Sequence, residues 1–115
     1  IGSVAGRWAY PKGAVYCASK AAVRMLNEGM RLDLHGTGVR VTTVDAGMVE
    51  SEFSQVRFAG NAELVKKVYE GMTPLAPADV ADAVFWAVSR PPHVNIQEIV
   101  LYCTDQASVT RVRRD

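Results

Sequence analysis

Ser3, Tyr16 and Lys20 place an alcohol, a phenol and an ammonium within eighteen residues. Tyr16 and Lys20 are four positions apart, and on an α-helix that spacing puts two side chains on one face with Cβ atoms about 5–6 Å apart. A unit positive charge about 6 Å from a phenol favours the phenolate by about 3 kcal/mol at an effective dielectric of about 20. A tyrosine that gives and takes a proton near neutral pH needs a further cation beside it. A serine hydroxyl can meanwhile hold a substrate oxygen by hydrogen bonding. The three groups together therefore suit proton transfer at an alcohol or carbonyl oxygen. Read structurally, the same residues are a surface Tyr–Lys pair on an amphipathic helix and an ordinary turn serine. The offset of Ser3 and the small residues lining the helix, Ala14, Ala18, Ala21 and Ala22, favour the chemical reading.

The elements that must position these groups follow from periodicity. Residues 5–13 carry two glycines, a proline and the aromatics Trp8 and Tyr10, a composition that predicts a loop able to cover a site. From about Ala14 to His35 the residues Val15, Ala18, Ala22, Met25, Leu26, Gly29 and Leu32 recur at three- and four-residue steps, which predicts a helix. The small residues in this stripe permit close approach of a sheet or another helix. Gly36-Thr37-Gly38 ends the helix. The β-branched run 39–44 reads as a central parallel strand. Residues 45–52 form a loop at its carboxyl end, where ligands of open α/β sheets bind. Residues 53–76 read as a polar, helical excursion. A second amphipathic helix spans 77–88, with Pro77 near its start and Pro91-Pro92 beyond its end. A last strand is predicted at 95–102, followed by the tail 103–115, whose end from Thr110 to Asp115 reads as a solvated end or an oligomer contact.

The segment Ile1-Gly2-Ser3-Val4-Ala5-Gly6, followed by Tyr16 and Lys20 within Ala14 to Ala22, resembles the active-site region of the short-chain dehydrogenases/reductases. The run Glu52 to Phe58, together with Pro92-His93-Val94-Asn95-Ile96, is similar to the branch that acts on 3-hydroxy acids and serine with NADP. This resemblance implies the C-terminal half of a doubly wound Rossmann-type parallel sheet, with the N-terminal nucleotide-binding half outside these residues. No glycine-rich G-x-G-x-x-G turn occurs in the chain, and Asn27 is in the wrong place to serve as the family's catalytic asparagine. The implied roles are residue by residue. Ser3 holds the substrate oxygen, Tyr16 exchanges its proton, and Lys20 supports the phenolate and holds the nicotinamide ribose. Ala46, Gly47, Met48 and Val49 form the cofactor loop, and the Ser51 hydroxyl stands where the family has a threonine. Ala46 replaces the family's proline, which loosens the loop entrance. Residues 53–76 form the substrate lid, in which Arg57 is the candidate partner for a substrate carboxylate. The implied cofactor is NADP, with NAD also open, and the implied assembly is a homo-oligomer built on the catalytic helix.

Composition bounds the alternatives. The chain has 115 residues, 49% hydrophobic and 22% charged, in keeping with one globular unit. A net charge of +1 offers no electrostatic case for nucleic acid or a membrane surface. No apolar run approaches the roughly 20 residues of a membrane span, which together with the lack of a signal peptide leads to a cytoplasmic expectation. Cys17 and Cys103 are not at metal-ligand spacing and are expected to be reduced. The expected function is NAD(P)-dependent oxidation or reduction of a small alcohol or carbonyl. The alternative is a catalytically incomplete fragment that acts as an assembly module.

Overall fold

The β-branched run after Gly38 supplies the middle of a three-stranded sheet. The computed structural model describes residues 1–115 and orders them as β1 (Gly2–Ser3), a 3-10 turn (Val4–Gly6), α1 (Ala14–Asp33), β2 (Thr43–Ala46), α2 (Phe53–Arg57), α3 (Ala62–Tyr69), α4 (Pro77–Val88) and β3 (Glu98–Leu101). The sheet order is β1-β2-β3 and both pairings are parallel. Gly2 lies opposite Asp45 and Ser3 opposite Ala46, so the register brings Ser3 to the carboxyl end of the central strand. The architecture is α/β with a parallel sheet. All four residues of β2 are buried, as expected of a central strand.

The strands are shorter than the apolar runs predict. β2 begins at Thr43 because the backbone of Val41 is already satisfied by one side chain: its N–H donates to Asn95 Oδ1 at 2.9 Å, and its carbonyl accepts from Asn95 Nδ2 at 3.1 Å. Thr42 then donates its hydroxyl to the Ile96 carbonyl at 2.6 Å. An asparagine amide thus continues the ladder where a paired strand would, and β3 correspondingly begins at Glu98 instead of Asn95. Ala46, expected in the loop, is the last residue of β2 and is 8% exposed.

Successive residues of β2 serve opposite faces of the sheet. Val44 lines an apolar groove with Val84, Ala87 and Val88 of α4, whereas the carboxylate of Asp45 meets Arg7 on the side of α1. The predicted apolar stripe of α1 does not face the sheet. Val15, Met25, Leu26 and Leu32 are 60–86% exposed, and the packed face instead carries Cys17 and Asn27. Polar groups on that face find partners: Asn27 Nδ2 donates to the Gln97 carbonyl at 2.8 Å, and Arg24 Nε lies 3.5 Å from Glu98 Oε1. Close packing of the 3-10 turn on α1 depends on Gly6, where a Cβ would lie 2.5 Å from the Lys20 carbonyl oxygen.

The tail is not a free solvated end. Asp105 accepts from the Thr73 N–H at 2.8 Å, and the Asp115 N–H donates to the Gly71 carbonyl at 2.9 Å. Arg114 donates to the carbonyls of Val68 at 3.0 Å and Glu70 at 2.5 Å, closing the C-terminal end of α3.

Candidate active site

Each chemical group is set by a different local device. Ser3 ends β1, and its Oγ accepts from the Ala5 N–H at 3.1 Å, which caps the 3-10 turn and leaves its own hydrogen free to donate. Tyr16 and Lys20 sit one turn apart near the start of α1, with Lys20 Nζ 5.7 Å from the centre of the Tyr16 ring. Arg57, the last residue of α2, brings its guanidinium carbon to 5.8 Å from the same ring. Tyr16 therefore has two cations within 6 Å, one from its own helix and one from the lid. Phe53 tilts against the ring at a centroid separation of 5.8 Å and fixes its plane from the lid side.

Two cavities meet at these residues. One, of about 360 Å³, is lined by Ser3, Tyr16, Lys20, Ala46, Gly47, Val49 and Ser51 among others. The other, of about 210 Å³, is lined by Ser3, Tyr16, Gly47, Met48, Val49 and Arg57, together with Tyr10, Phe53, Phe58 and Tyr69. All nine residues singled out in the sequence line one cavity or both. The larger holds the residues expected to meet a cofactor except Met48, which lines only the smaller, and the smaller holds Ser3, Tyr16 and Arg57, those expected to meet a substrate.

The backbone of the loop after β2 is almost fully committed. Gly47 N–H donates to the Leu101 carbonyl at 2.7 Å, Met48 N–H to Gln106 Oε1 at 2.8 Å, and Glu50 N–H to the Leu75 carbonyl at 2.8 Å. The Met48 carbonyl accepts from Leu75 and the Val49 carbonyl from the Tyr69 hydroxyl at 2.7 Å. The Gly47 carbonyl and the Val49 N–H are left without an internal partner, one acceptor and one donor beside the larger cavity. A planar amide that offers an N–H₂ and a C=O would complement that pair. Ser51 Oγ accepts from the Phe53 N–H at 3.3 Å and keeps its hydrogen available. The N-cap of α2 is Glu52, so the Ser51 hydroxyl makes a local turn contact two residues on and does not cap the helix.

Beneath the site lies a charged network. Arg7 Nη2 is 3.0 Å from Asp45 Oδ2 and 2.8 Å from Glu98 Oε2, and Asp45 is completely buried. Burial pulls the Arg7 pKa down, but its hydrogen bonds to Glu98 and Asp45 outweigh that effect and the net direction is up. The hydrogen bond from Arg7 draws the Glu98 carboxyl below its ordinary range; burial opposes this, and the charges of Arg7 and Arg24 add to it.

Sequence reasoning missed Gln106 and Tyr69. Gln106 is buried 58 positions from the Met48 amide it holds, and Tyr69 links Ser54 of α2, at 2.8 Å, to the Val49 carbonyl. Neither carries a local signal, because each acts through a contact distant in sequence.

The chain is similar in sequence and fold to known proteins. An NADP-dependent 3-hydroxy acid dehydrogenase of Salmonella typhi is 47% identical over 93% of this chain and 44% of its own length. Sulfoacetaldehyde reductase 2 of Chromohalobacter salexigens is 46% identical over 100% of this chain and 46% of its own. Among solved structures, the closed form of a serine dehydrogenase complexed with NADP+ superposes with a TM-score of 0.92 at 44% identity, covering 100% of this chain and 47% of that one. The chain thus spans less than half the length of each of these proteins. The family model for short chain dehydrogenase matches residues 1–62, more than half of the chain and the stretch that holds Ser3, Tyr16, Lys20 and the loop to Ser51. The chain belongs to the short-chain dehydrogenase family.

Proposed function

We propose that the protein carrying this chain is an NADP-dependent oxidoreductase that moves a hydride between the nicotinamide and the alcohol carbon of a small hydroxy acid. The observation that supports this most directly is the meeting of two cavities at Ser3 and Tyr16, with Lys20 on one side and Arg57 on the other. NADP+, when bound, supplies the hydride acceptor. Ser3 donates its hydroxyl hydrogen to the substrate oxygen, and the Tyr16 phenolate takes the alcohol proton in oxidation and returns it in reduction. Lys20 stabilises the phenolate by its charge and donates to the ribose hydroxyls. The free Val49 N–H and Gly47 carbonyl hold the carboxamide, Ala46 and Met48 fix the loop on either side of Gly47, and Ser51 offers a hydroxyl to the same group or to the pyrophosphate.

Arg57 pairs with the acid group of the substrate. The relatives' names share that chemistry: a 3-hydroxy acid, serine and sulfoacetaldehyde each carry an anionic group close to the carbon that is oxidised or reduced. NADP is named for two of them, the 3-hydroxy acid dehydrogenase and the serine dehydrogenase complex. The outward stripe of α1, with Val15, Met25, Leu26 and Leu32, receives a second copy of the chain, which removes that apolar surface from water. This stripe would equally serve a non-catalytic assembly module, and turnover by the full-length protein decides between the two. The free thiols of Cys17 and Cys103 suit a cytoplasmic setting, and no helix is long and apolar enough to cross a membrane.

Arg57→Ala in the full-length protein, assayed with NADP+, tests the reading. KM for a 3-hydroxy acid should rise about tenfold or more, far more than KM for a neutral alcohol of equal size, while any effect of losing the cation beside Tyr16 falls on kcat for both substrates alike. Equal effects on KM for both substrates would remove the acid from the assignment.

A further inference from the structure

Two peptide groups of the loop after β2 offer a free atom to a ligand, and each is held by its other end. In the peptide between Gly47 and Met48 the carbonyl is free, and the N–H donates to Gln106 Oε1 at 2.8 Å. In the peptide between Met48 and Val49 the N–H is free, and the carbonyl accepts from the Leu75 N–H at 2.9 Å. A trans peptide directs its C=O and N–H to opposite sides of one rigid plane, so a partner that fixes one group aims the other. Leu75 does this with its main chain. Gln106 does it with a side chain, and the end of the amide that meets Met48 must be its oxygen, because a backbone N–H can only donate. The glutamine is fixed for this contact. It is 5% exposed, its own N–H donates to the Cys103 carbonyl at 3.0 Å, and both its neighbours are tied to the tail. The Arg113 N–H donates to the Asp105 carbonyl at 2.7 Å, and the Ala107 N–H to the Arg111 carbonyl at 2.9 Å. A Cβ on Gly47 would lie 2.3 Å from Gln106 Oε1, so only glycine at position 47 lets the glutamine oxygen come this close. Gln106 lines the smaller cavity and not the larger, whereas Gly47 lines both.

We propose that Gln106 is a positioning residue for the cofactor. By holding the Met48 N–H on the side of the smaller cavity, it turns the Gly47 carbonyl toward the larger one, where that carbonyl accepts from the carboxamide N–H₂ of the nicotinamide. An N–H already engaged as a donor also polarises its own peptide and makes the carbonyl a stronger acceptor. The tail that follows β3 thus supplies a residue on which the cofactor site depends, although Gln106 itself acts only through the loop. This inference rests on the cofactor reading given above.

The test is equilibrium binding of two cofactors to the full-length protein, followed by fluorescence. One is NADP+, and the other is its 3-acetylpyridine analogue, which keeps the carbonyl of the carboxamide and carries a methyl group in place of the N–H₂. The parent should prefer NADP+, because the analogue has no hydrogen to give the Gly47 carbonyl. Gln106→Met removes the acceptor at nearly constant volume. It should raise Kd for NADP+ about five- to tenfold and leave Kd for the analogue within about twofold, a split that general damage to the fold would not produce. Gln106→Leu, measured beside it, should do the same. Gln106→Glu keeps an acceptor for the Met48 N–H, so the ratio of the two constants should stay close to that of the parent even where both rise. If Gln106→Met and Gln106→Leu raise the two constants equally or not at all, or if Gln106→Glu loses the ratio, the positioning role is overturned and the carboxamide contact stands. A parent that binds both cofactors alike removes that contact, and the role of Gln106 with it.

Discussion

At the scale of single residues, the site is a set of hydroxyls whose acceptor side is used and whose hydrogen is free. Ser3 accepts from Ala5, Ser51 from Phe53 and Tyr10 from Arg57, so each is fixed in place while its own donor remains for a ligand. Tyr16 is different, since it is positioned by rings and charges: Phe53, Lys20 and Arg57 all lie within 6 Å of its centre. Replacing it by phenylalanine preserves these packing partners and removes only the exchangeable proton. Tyr16→Phe should therefore lower kcat by about 10²-fold or more with little change in melting temperature. Loss of turnover accompanied by a large drop in melting temperature would mean that the hydroxyl is structural. The Ser3, Tyr16 and Lys20 trio was legible because its spacing is local: a turn, a helix start and one helical turn bring the three together. Arg57 was legible only as a cation needed by an acid, and its place over the Tyr16 ring depends on how α2 folds back over α1.

At the scale of elements, the helices were easier to read than what they pack against. The 3.6-residue period marked α1, and Pro77 marked the start of α4, because both signals are local. The stripe of α1 was read as open to a sheet or another helix; it points outward, and the face packed on the sheet is paired through Asn27 and Arg24 to groups some 70 positions away. Arg40, read as part of the central strand, and Arg114, read in a solvated tail, both close helices. Arg40 donates to the carbonyl of Val88 at the end of α4 and to those of Arg90 and Val94 in the connector beyond it, and Arg114 donates to the carbonyls of Val68 and Glu70 at the end of α3. Carbonyls in the last turn of a helix lack internal donors, so these contacts replace missing backbone bonds. For the lid the consequence is measurable. Arg114→Ala should leave the end of α3 to water at a cost of about 1 kcal/mol, making amide exchange over 62–70 roughly fivefold faster while α1 is unaffected. Unchanged protection in the lid would show that the tail rests on α3 without holding it.

At the scale of the whole molecule, one ionic cluster joins the parts that carry the site. Arg7 follows the 3-10 turn, Arg24 lies in α1, Asp45 in β2 and Glu98 in β3, so the cluster ties the Ser3 loop, the tyrosine helix and two strands together. Asp45 is fully buried, and removing a partner from a buried charge costs far more than the pair itself contributes. Glu98 makes the cluster sensitive to acid. Its carboxyl is held below its ordinary range by Arg7, so the unfolded chain takes up this proton at higher pH than the folded one. The stability it contributes is complete above its unfolded value of about 4.3 and is lost as pH falls through the lower folded value. Arg7 stays charged throughout, because its own pKa is moved up. Glu98→Gln cannot titrate, so the variant should be less stable than the parent at pH 7 and the difference should shrink as pH is lowered from about 5 to 3. Melting curves of both proteins across that range read the effect directly. Because every other carboxylate is common to the two, a constant offset would show that Glu98 is not acting through its charge, and that the cluster holds the Ser3 loop to the sheet by packing alone.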